Sequence, residues 1–260
     1  MFAHTLTLPS RDAKPRRRGR TMVIDPGLPT GYFADIMTSY GDLIDLVKFG
    51  WGTCLATADI LGKADAAREH GIEFYFGGTL FEKFLSNDRV DEWYKLCSDA
   101  GATTVEISNG TIPLPNSDKA SYIRRFAEEF TVLSEVGFKD PARELTPRSW
   151  VECIREDLDA GADLVIAEAR ESGRSGIGLP NGEPRHELIE TIAASGIDID
   201  RVMFEAPTKE LQIYLLRRLG PQVNLGNIHT GDVIGLETLR LGLRADTLTD
   251  FQHTEEAADA

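Results

Sequence analysis

Short apolar stretches alternate with helix-like segments along the chain. Eight stretches have the apolar character of buried strands, namely TMVID (21–25), IDLVK (44–48), IEFYF (72–76), TTVEI (103–107), TVLSE (131–135), DLVIA (163–167), RVMFE (201–205) and QVNL (222–225). Each is followed by a polar or glycine-rich turn and then by a segment with apolar residues at helical spacing. Several of these segments end at a glycine, as at Gly71, Gly101 and Gly161, which is typical of a helix C-terminus. The repeated order of strand and helix predicts an α/β fold with a parallel sheet.

Eight units of similar size favour a closed (β/α)₈ barrel, or TIM barrel, over an open doubly wound sheet. A dinucleotide-binding open sheet has G-x-G-x-x-G after its first strand, whereas this chain reads DPGLPTG at 25–31. The length of 260 residues is also close to that of one such barrel. No linker-like change of composition divides the chain. We therefore predict a single α/β domain over 21–247, preceded by a basic N-terminal arm (1–20) and followed by an acidic C-terminal tail (248–260).

Composition narrows the class of protein. The formal net charge of −14 argues against general nucleic-acid binding. No apolar run reaches the roughly 18 residues that span a bilayer, so we expect no membrane segment. The three cysteines have no metal-binding or redox spacing, which indicates a reducing, cytoplasmic environment. We interpret the basic cluster at 11–20 as a segment that leads into the first strand and packs on acidic surface, with an interaction arm as the alternative.

Carboxylates stand at the ends of several predicted strands. A parallel strand is buried on both faces, so a charge there needs a partner, and the C-terminal strand ends form the active-site face of a barrel. Converging carboxylates usually bind a cation or share protons, and hard oxygen ligands suit Mg²⁺. The candidate metal ligands are Glu106, Glu135, Glu168 and Glu205, with ion pairs to nearby lysines and arginines as the alternative.

Basic residues and glycines follow the same strands. Several cations on one face suit an anionic substrate, and a desolvated lysine can exchange a proton near neutral pH. The candidates for this role are Lys48, Lys139, Arg170 and Arg174. Glycine turns such as KFGWGTC (48–54) and GGTLFE (77–82) allow backbone N–H groups to hold a phosphate or carboxylate, although tight turns use glycine in any case. The remaining substrate-binding candidates are Asp25, Gly50, Gly52, Thr53, Gly77, Gly78, Ser108, Asn109, Asn224 and Asn227. His229 is interpreted as a hydrogen-bonding loop residue.

Eight motifs in this order resemble the phosphosulfolactate synthase family: KFGWGT, GGTLFE, VEISNG, EVGFK, EARESG, FEAP, VNLGNI and LETLRLGLRADT. The resemblance runs from about residue 14 to 247. It implies a (β/α)₈ barrel that adds sulfite to phosphoenolpyruvate, giving (2R)-phospho-3-sulfolactate with Mg²⁺, at the start of coenzyme M or sulfolactate formation. For this reaction we expect glutamates to hold Mg²⁺ near the developing carboxylate charge, Lys139 to protonate C2, and Lys48 and Arg170 to hold anionic groups. A homo-oligomer is also expected.

One position departs from the family pattern. The family reads Asp-Lys-Gly-Leu after the first strand, whereas this chain reads Asp25-Pro26-Gly27-Leu28. Proline brings neither a charge nor an N–H donor. Two alternatives therefore stay open: a related barrel enzyme that acts on another phosphorylated or enolpyruvate-like acid, and a non-catalytic barrel like the related plant heat-stress-associated proteins.

Overall fold

The chain folds into a single (β/α)₈ barrel, which confirms the predicted architecture. The computed structural model describes residues 6–138, 144–170 and 172–251. The eight parallel strands are β1 (Thr21–Asp25), β2 (Leu46–Phe49), β3 (Glu73–Phe76), β4 (Thr104–Ile107), β5 (Thr131–Val136), β6 (Leu164–Ala167), β7 (Val202–Glu205) and β8 (Asn224–His229). The helices of this part of the chain are α1 (Thr30–Tyr40), α2 (Ile60–Glu69), α3 (Gly78–Leu85), α4 (Val90–Asp99), α5 (Asn116–Phe126), α6 (Pro147–Asp159), α7 (His186–Ala193), α8 (Lys209–Leu219) and α9 (Val233–Arg240).

The strands follow the order β3-β2-β1-β8-β7-β6-β5-β4, so β3 and β4 stand at the two ends of the hydrogen-bonded sheet. These two strands contact each other and close the barrel, although the described strands show no main-chain ladder between them. Side chains bridge the seam at its N-terminal end, where Thr104 Oγ1 donates to Glu73 Oε2 at 2.6 Å. The β3–β4 seam therefore depends on side-chain contacts rather than on paired backbone groups.

Alternation along the strands divides the apolar residues into two layers. One layer fills the barrel interior with Met22, Leu46, Tyr75, Leu133, Leu164, Ile166 and Met203. A larger cluster lies between the strands and the surrounding helices and includes Val23, Val47, Phe74, Val105 and Phe204. Successive residues of a strand point to opposite faces, so the interior layer and the helix-facing layer interleave along the chain.

Strand β8 begins and ends later than its pattern indicates. The apolar pattern predicts a strand over 222–225, whereas the strand runs from Asn224 to His229. The register between β1 and β8 shifts between Thr21 and Val23, and Asn227 has a left-handed φ of 52° in this irregular region. Asparagine and glycine at 224–227 are typical turn residues, which is why the sequence indicates an early end. This shift places Asn224 at the start of the strand, while Asn227 lies within it.

The basic arm is packed against the N-terminal end of the barrel over its described residues, 6–20. Arg11 Nε lies 3.0 Å from Glu237 Oε1, and Arg16 forms an ion pair with Asp45 at 3.2 Å. Lys14 Nζ donates to the backbone carbonyls of Gly41 and Ile44 at 3.0 and 2.6 Å. Arg11, Lys14 and Arg16 are thus paired with the barrel at the end opposite to the predicted active-site face.

No helix within the described ranges has the length and apolar character needed to cross a bilayer. This agrees with the absence of a long apolar run in the sequence.

Candidate active site

A cavity of about 640 Å³ opens at the C-terminal ends of the strands. In a (β/α)₈ barrel this face carries the active site. The cavity is lined by Ile24, Lys48, Trp51, Gly77, Thr79, Thr111, Glu135, Glu168, Arg170, Ser172, Glu205, Asn227 and His229. Seven of these residues are candidates from the sequence: Lys48, Gly77, Glu135, Glu168, Arg170, Glu205 and Asn227.

Lys48 lies at the centre of a buried cluster of carboxylates. Its Nζ atom is 3.0 Å from Glu106 Oε2, 3.0 Å from Glu135 Oε2 and 3.4 Å from Glu205 Oε1. The four residues come from β2, β4, β5 and β7, and all four are buried. The barrel therefore brings together side chains that are up to 157 positions apart in sequence.

The cluster changes the protonation of its members. Burial by itself lowers the pKa of Lys48, but the three carboxylates outweigh burial and hold that pKa well above its usual range. Burial raises the pKa of Glu106 to about 7, and the negative charge of Glu135 adds to this effect, whereas Lys48 and the Gly78 N–H oppose it. Lys48 is therefore a fixed positive charge at neutral pH, and the pKa of Glu106 lies well above that of an ordinary glutamate.

Glu106 also joins the two strands of the β3–β4 seam. Its Oε1 accepts a hydrogen bond from the backbone N–H of Gly78, the first residue of α3, at 2.5 Å. Position 78 must be glycine for this contact, because a Cβ there would lie 2.7 Å from Glu106 Oε1 and would also overlap Ser108. Oε1 of Glu106 is thus held by Gly78, and its Oε2 forms the ion pair with Lys48.

The other three glutamates line the cavity. Glu205 Oε2 accepts from the backbone N–H of Ala169 at 2.9 Å, which fixes the carboxylate beside the end of β6. Glu135 and Glu168 are buried and line the cavity. Asn227 lines it too, and its buried Oδ1 has no hydrogen-bond partner among the described residues.

These oxygen donors fit a Mg²⁺ ion that is held jointly by the protein, the substrate and water. Within the described ranges no three acidic, histidine or cysteine side chains are arranged as a preformed metal cluster. Mg²⁺, however, is usually held by one or two carboxylates together with substrate oxygens and water. The carboxylates of Glu135, Glu168 and Glu205 and the unpaired oxygen of Asn227 are of that kind. Glu106 is less suited, because it does not line the cavity.

Left-handed backbone conformation is concentrated at the cavity. Four described residues other than glycine have a positive φ, and three of them, Trp51, Arg170 and Asn227, line the cavity with φ of 52°, 49° and 52°. Such conformations cost free energy and cluster at functional sites, where the surrounding structure holds them. These three side chains are therefore placed by backbone geometry that most residues avoid.

Several predicted substrate-binding residues do not reach the cavity. Asp25 belongs instead to the layer between sheet and helices, where its Oδ2 lies 2.6 Å from Nζ of the buried Lys63 on α2. Its Oδ1 accepts from the N–H groups of Gly27 and Leu28 at 2.8 and 2.7 Å. Asp25 thus shapes the turn after β1. The exposed Pro26 beside it does not line the cavity either.

Asn224 lies at the opposite end of its strand from the cavity. Because β8 begins at residue 224, Asn224 sits at the N-terminal end of the barrel. Its Oδ1 accepts from the N–H of Arg20 at 2.9 Å, and its Nδ2 donates to the carbonyl of Asp200 at 2.9 Å. We therefore correct its assignment from substrate binding to closure of the barrel's N-terminal end.

Ser108 and Asn109 organise the loop after β4 rather than line the cavity. Ser108 Oγ and the backbone N–H of Gly110 donate to Glu82 on α3. Asn109 Nδ2 donates to the carbonyl of Leu114 at 2.8 Å. Glu82 also accepts from Thr111, which does line the cavity, so this network positions a residue of the site.

The remaining candidates flank the site or lie outside the described residues. Gly50, Gly52 and Thr53 surround Trp51 without lining the cavity, and Gly78 begins α3. Arg174 is exposed and does not line it. Lys139 lies outside the described residues, as do residues 252–260 of the predicted acidic tail.

Sequence reasoning missed five lining residues: Ile24, Trp51, Thr79, Thr111 and Ser172. For Trp51 a signal was available, because an aromatic residue between two glycines at a strand end is unusual. The hydroxyl residues carry no such signal, since threonine and serine are common in turns of every kind. His229, interpreted as a loop residue, lies at the cavity at the end of β8.

Comparison with known proteins gives one family. The family model of (2R)-phospho-3-sulfolactate synthase (ComA) matches residues 9–246. The phosphosulfolactate synthase of Bacillus subtilis (strain 168) is 50% identical over 245 residues, covering 94% of this chain and 97% of that protein. The phosphosulfolactate synthase of Methanothermobacter thermautotrophicus is 42% identical over 254 residues, covering 95% and 98%. Among solved structures, the YdjI aldolase from Escherichia coli K12 has a TM-score of 0.56 at 10% identity, covers 83% of this chain and 76% of its own, and shares the fold alone.

Proposed function

The chain belongs to the phosphosulfolactate synthase family, and from this premise we propose that it adds sulfite to phosphoenolpyruvate to form (2R)-phospho-3-sulfolactate, with Mg²⁺. The observation that carries the proposal is the composition of the cavity. It combines the fixed cation Lys48 and the exposed Arg170 with the carboxylates of Glu135, Glu168 and Glu205. Cations suit two anionic reactants, and carboxylates suit a divalent ion that bridges to them.

The proposed reaction forms one carbon–sulfur bond and breaks none of the substrate's single bonds. The lone pair of sulfite sulfur attacks C3 of phosphoenolpyruvate. The π electrons of the C2–C3 double bond move toward the carboxylate, which becomes an enediolate. A proton then adds to C2, giving the sulfonate product with its phosphate still attached. The protein has to hold two anions together, neutralise the charge that builds on the carboxylate, and deliver one proton.

Holding two anions together is the proposed role of the cavity's cations and N–H groups. Lys48 is confined by its carboxylates, so its ammonium stays in one place. Charge that is fixed before the reaction stabilises a developing anion without the cost of reorganising it. Arg170 is exposed at the cavity and offers a planar pair of N–H donors to a phosphate or carboxylate.

Mg²⁺ is proposed to be held by Glu135, Glu168 and Glu205, with Asn227 as a further oxygen donor. When bound it would supply positive charge to the substrate carboxylate, as divalent ions do in other enolate-forming enzymes. Glu106 is left out of this set because it does not line the cavity, and it is given the role of fixing Lys48 and the start of α3.

The proposed proton donor is Lys139, the lysine that follows β5 in the sequence. Among the described residues Lys48 is a poor donor, because three carboxylates hold its pKa far above neutrality. A general acid works best when its pKa is near the working pH.

The proposal is tested by mixing the purified protein with phosphoenolpyruvate, sulfite and Mg²⁺ and following the reaction by phosphorus NMR. We expect the enol-phosphate signal to be replaced by that of a secondary alkyl phosphate, with one sulfite consumed per product. Omitting sulfite and adding a chelator are the two controls, and both should stop the conversion. No sulfite consumption under complete conditions would reject the proposed activity.

Pro26 provides the test of the alternative substrate. If Pro26→Lys gained sulfite-adding activity that the natural chain lacks, a different enolpyruvate-like acid would be favoured as the natural substrate. The proline is exposed and does not line the cavity, so we expect the variant and the natural chain to react alike.

A further inference from the structure

Trp51 is the one tryptophan that is partly open to solvent. The chain has three tryptophans, and their exposed fractions are 39% for Trp51, 0% for Trp93 and 1% for Trp150. Trp51 lies in the turn between β2 and α2 and lines the cavity beside Lys48 and Gly77. A partly exposed aromatic side chain in the lining of a largely polar cavity is suited to pack against an apolar part of a ligand.

The surrounding backbone is built to keep Trp51 in this place. Its φ is 52°, a conformation that bulky residues rarely adopt. Gly77 makes room for it, since a Cβ at 77 would lie 3.3 Å from the backbone N of Trp51 and 3.2 Å from Cε of Lys48. Gly50 packs directly on Ile24, because a Cβ there would lie 3.2 Å from Ile24 Cδ1. Two close approaches and one unfavourable dihedral angle therefore fix the backbone at Gly50 and Trp51 relative to Ile24 and Lys48.

Trp51 and Ile24 are the two bulky apolar side chains among the described residues that line the cavity. The other lining residues are charged, hydroxylic, amide or imidazole side chains, or glycine. They suit the phosphate and carboxylate of a small acid, but not its hydrocarbon edge. Phosphoenolpyruvate has one such edge, the methylene carbon C3, and water there would compete with the second reactant.

We propose that Trp51, together with Ile24, forms the wall against which the methylene end of phosphoenolpyruvate packs, and that Trp51 determines how large a substituent the site accepts at C3. This inference rests on the proposed function, because it assigns a residue to one part of the proposed substrate. It makes Trp51 a specificity-determining residue that excludes water from C3 and reports on occupancy through its fluorescence.

The test uses Trp51→Ala and Trp51→Phe, with Leu55→Ala as the matched control. Leu55 lies four residues further on in the same turn, is 65% exposed and does not line the cavity. Dissociation constants for phosphoenolpyruvate and for its 3-methyl analogue are measured by calorimetry with Mg²⁺ present. Quenching of tryptophan fluorescence by acrylamide is recorded with and without phosphoenolpyruvate.

We expect phosphoenolpyruvate to protect the natural chain from acrylamide, and Trp51→Phe to show no such protection, because the other two tryptophans are already buried. Trp51→Ala should bind phosphoenolpyruvate about tenfold more weakly, as loss of a covering aromatic contact commonly does. The same variant should discriminate less against the 3-methyl analogue, because the wall has been removed. Leu55→Ala should match the natural chain in every measurement.

Two results would distinguish failure of the inference about Trp51 from failure of the proposed function. If phosphoenolpyruvate binds to the natural chain but leaves Trp51 open to acrylamide, and Trp51→Ala keeps both dissociation constants, the inference about Trp51 is wrong and the proposed function stands. If the natural chain binds no phosphoenolpyruvate, the proposed function fails, and the inference fails with it. Circular dichroism and thermal unfolding of each variant separate a binding defect from a folding defect.

Discussion

The Nζ atom of Lys48 lies 3.0 Å from Glu106 Oε2, and both side chains are buried. Glu106 in turn accepts from the N–H of Gly78 at the start of α3. Glu106 therefore links the cation at the cavity, Lys48, to the segment that follows β3. Changes at either residue should affect both activity and stability.

Lys48→Met should abolish activity and destabilise the fold. It removes the cation that three buried carboxylates share, and breaking a buried ion pair by removing one partner typically costs about 3–5 kcal/mol. Urea unfolding measures the loss. The exposed Lys95, which pairs with Asp99 four residues further on, gives the matched control Lys95→Met, and we expect almost no effect there. Equal stability of the two variants would contradict the central role of Lys48.

Glu106→Gln and Glu168→Gln should separate positioning from metal binding. We expect Glu168→Gln to weaken Mg²⁺ binding by at least about tenfold, because it removes a proposed ligand. Glu106→Gln should leave Mg²⁺ affinity unchanged and lower kcat, because Lys48 loses one of the charges that fix it. Calorimetric titration with Mg²⁺ and steady-state kinetics measure the two effects. A loss of Mg²⁺ affinity in Glu106→Gln would return Glu106 to the ligand set.

Glu106 should also make stability depend on pH. Burial raises its pKa in the folded protein from 4.5 to about 7, so between these values the folded state binds more protons than the unfolded state. Stability from this group is therefore fully present below pH 4.5 and is lost as the pH rises toward 7, by on the order of 3 kcal/mol. The difference in unfolding free energy between the natural chain and Glu106→Gln, measured from pH 5 to 8, isolates this contribution. A difference that grows in favour of the natural chain as pH rises would contradict it.

Gly78→Ala should disturb the site and the β3–β4 seam together. The added Cβ would lie 2.7 Å from Glu106 Oε1, so the carboxylate or the start of α3 has to move. Overpacking of this kind typically costs about 1–3 kcal/mol. Gly31 on α1 has open space where a Cβ would be, and Gly31→Ala is the matched control, with an expected neutral or slightly stabilising effect. Thermal unfolding and turnover of both variants check the prediction.

Lys139→Ala should lower turnover while Mg²⁺ affinity stays the same. Loss of a general acid commonly costs about 100-fold or more in rate. Single-turnover rates with phosphoenolpyruvate and sulfite provide the measurement, and Lys95→Ala is the control. A turnover equal to that of the control would remove Lys139 from the mechanism.

The sequence predicted the convergence of Lys48 with the glutamates because the C-terminal ends of parallel strands share one end of the barrel. It did not predict which way Asp25 points. Asp25 and Ile24 are neighbours on β1, and alternation puts them on opposite faces, but only packing decides that Ile24 faces the cavity and Asp25 faces Lys63. Two neighbouring residues of one strand therefore have different roles: Ile24 lines the cavity, and Asp25 is structural.

Asn224 is predicted at the cavity but lies at the opposite end of β8, for another reason. The end of β8 was predicted where asparagine and glycine appear, although the strand continues through them with an irregular register. The role of Glu106 was also hidden, because its partner Gly78 follows a different strand and the contact exists only after the barrel closes. Contacts between distant segments are decided by tertiary packing, which no local pattern records.

Because the described strands β3 and β4 share no main-chain hydrogen-bond ladder, local unfolding of the barrel should begin between these two strands. Amide protons of these two strands that face each other should exchange with solvent deuterium sooner than those at the other seven strand junctions, where backbone ladders persist. Ligands that secure Lys48, and through it Glu106, should slow that exchange selectively. The rate of deuterium uptake at a single seam would then register whether the cavity at the end of the barrel is filled.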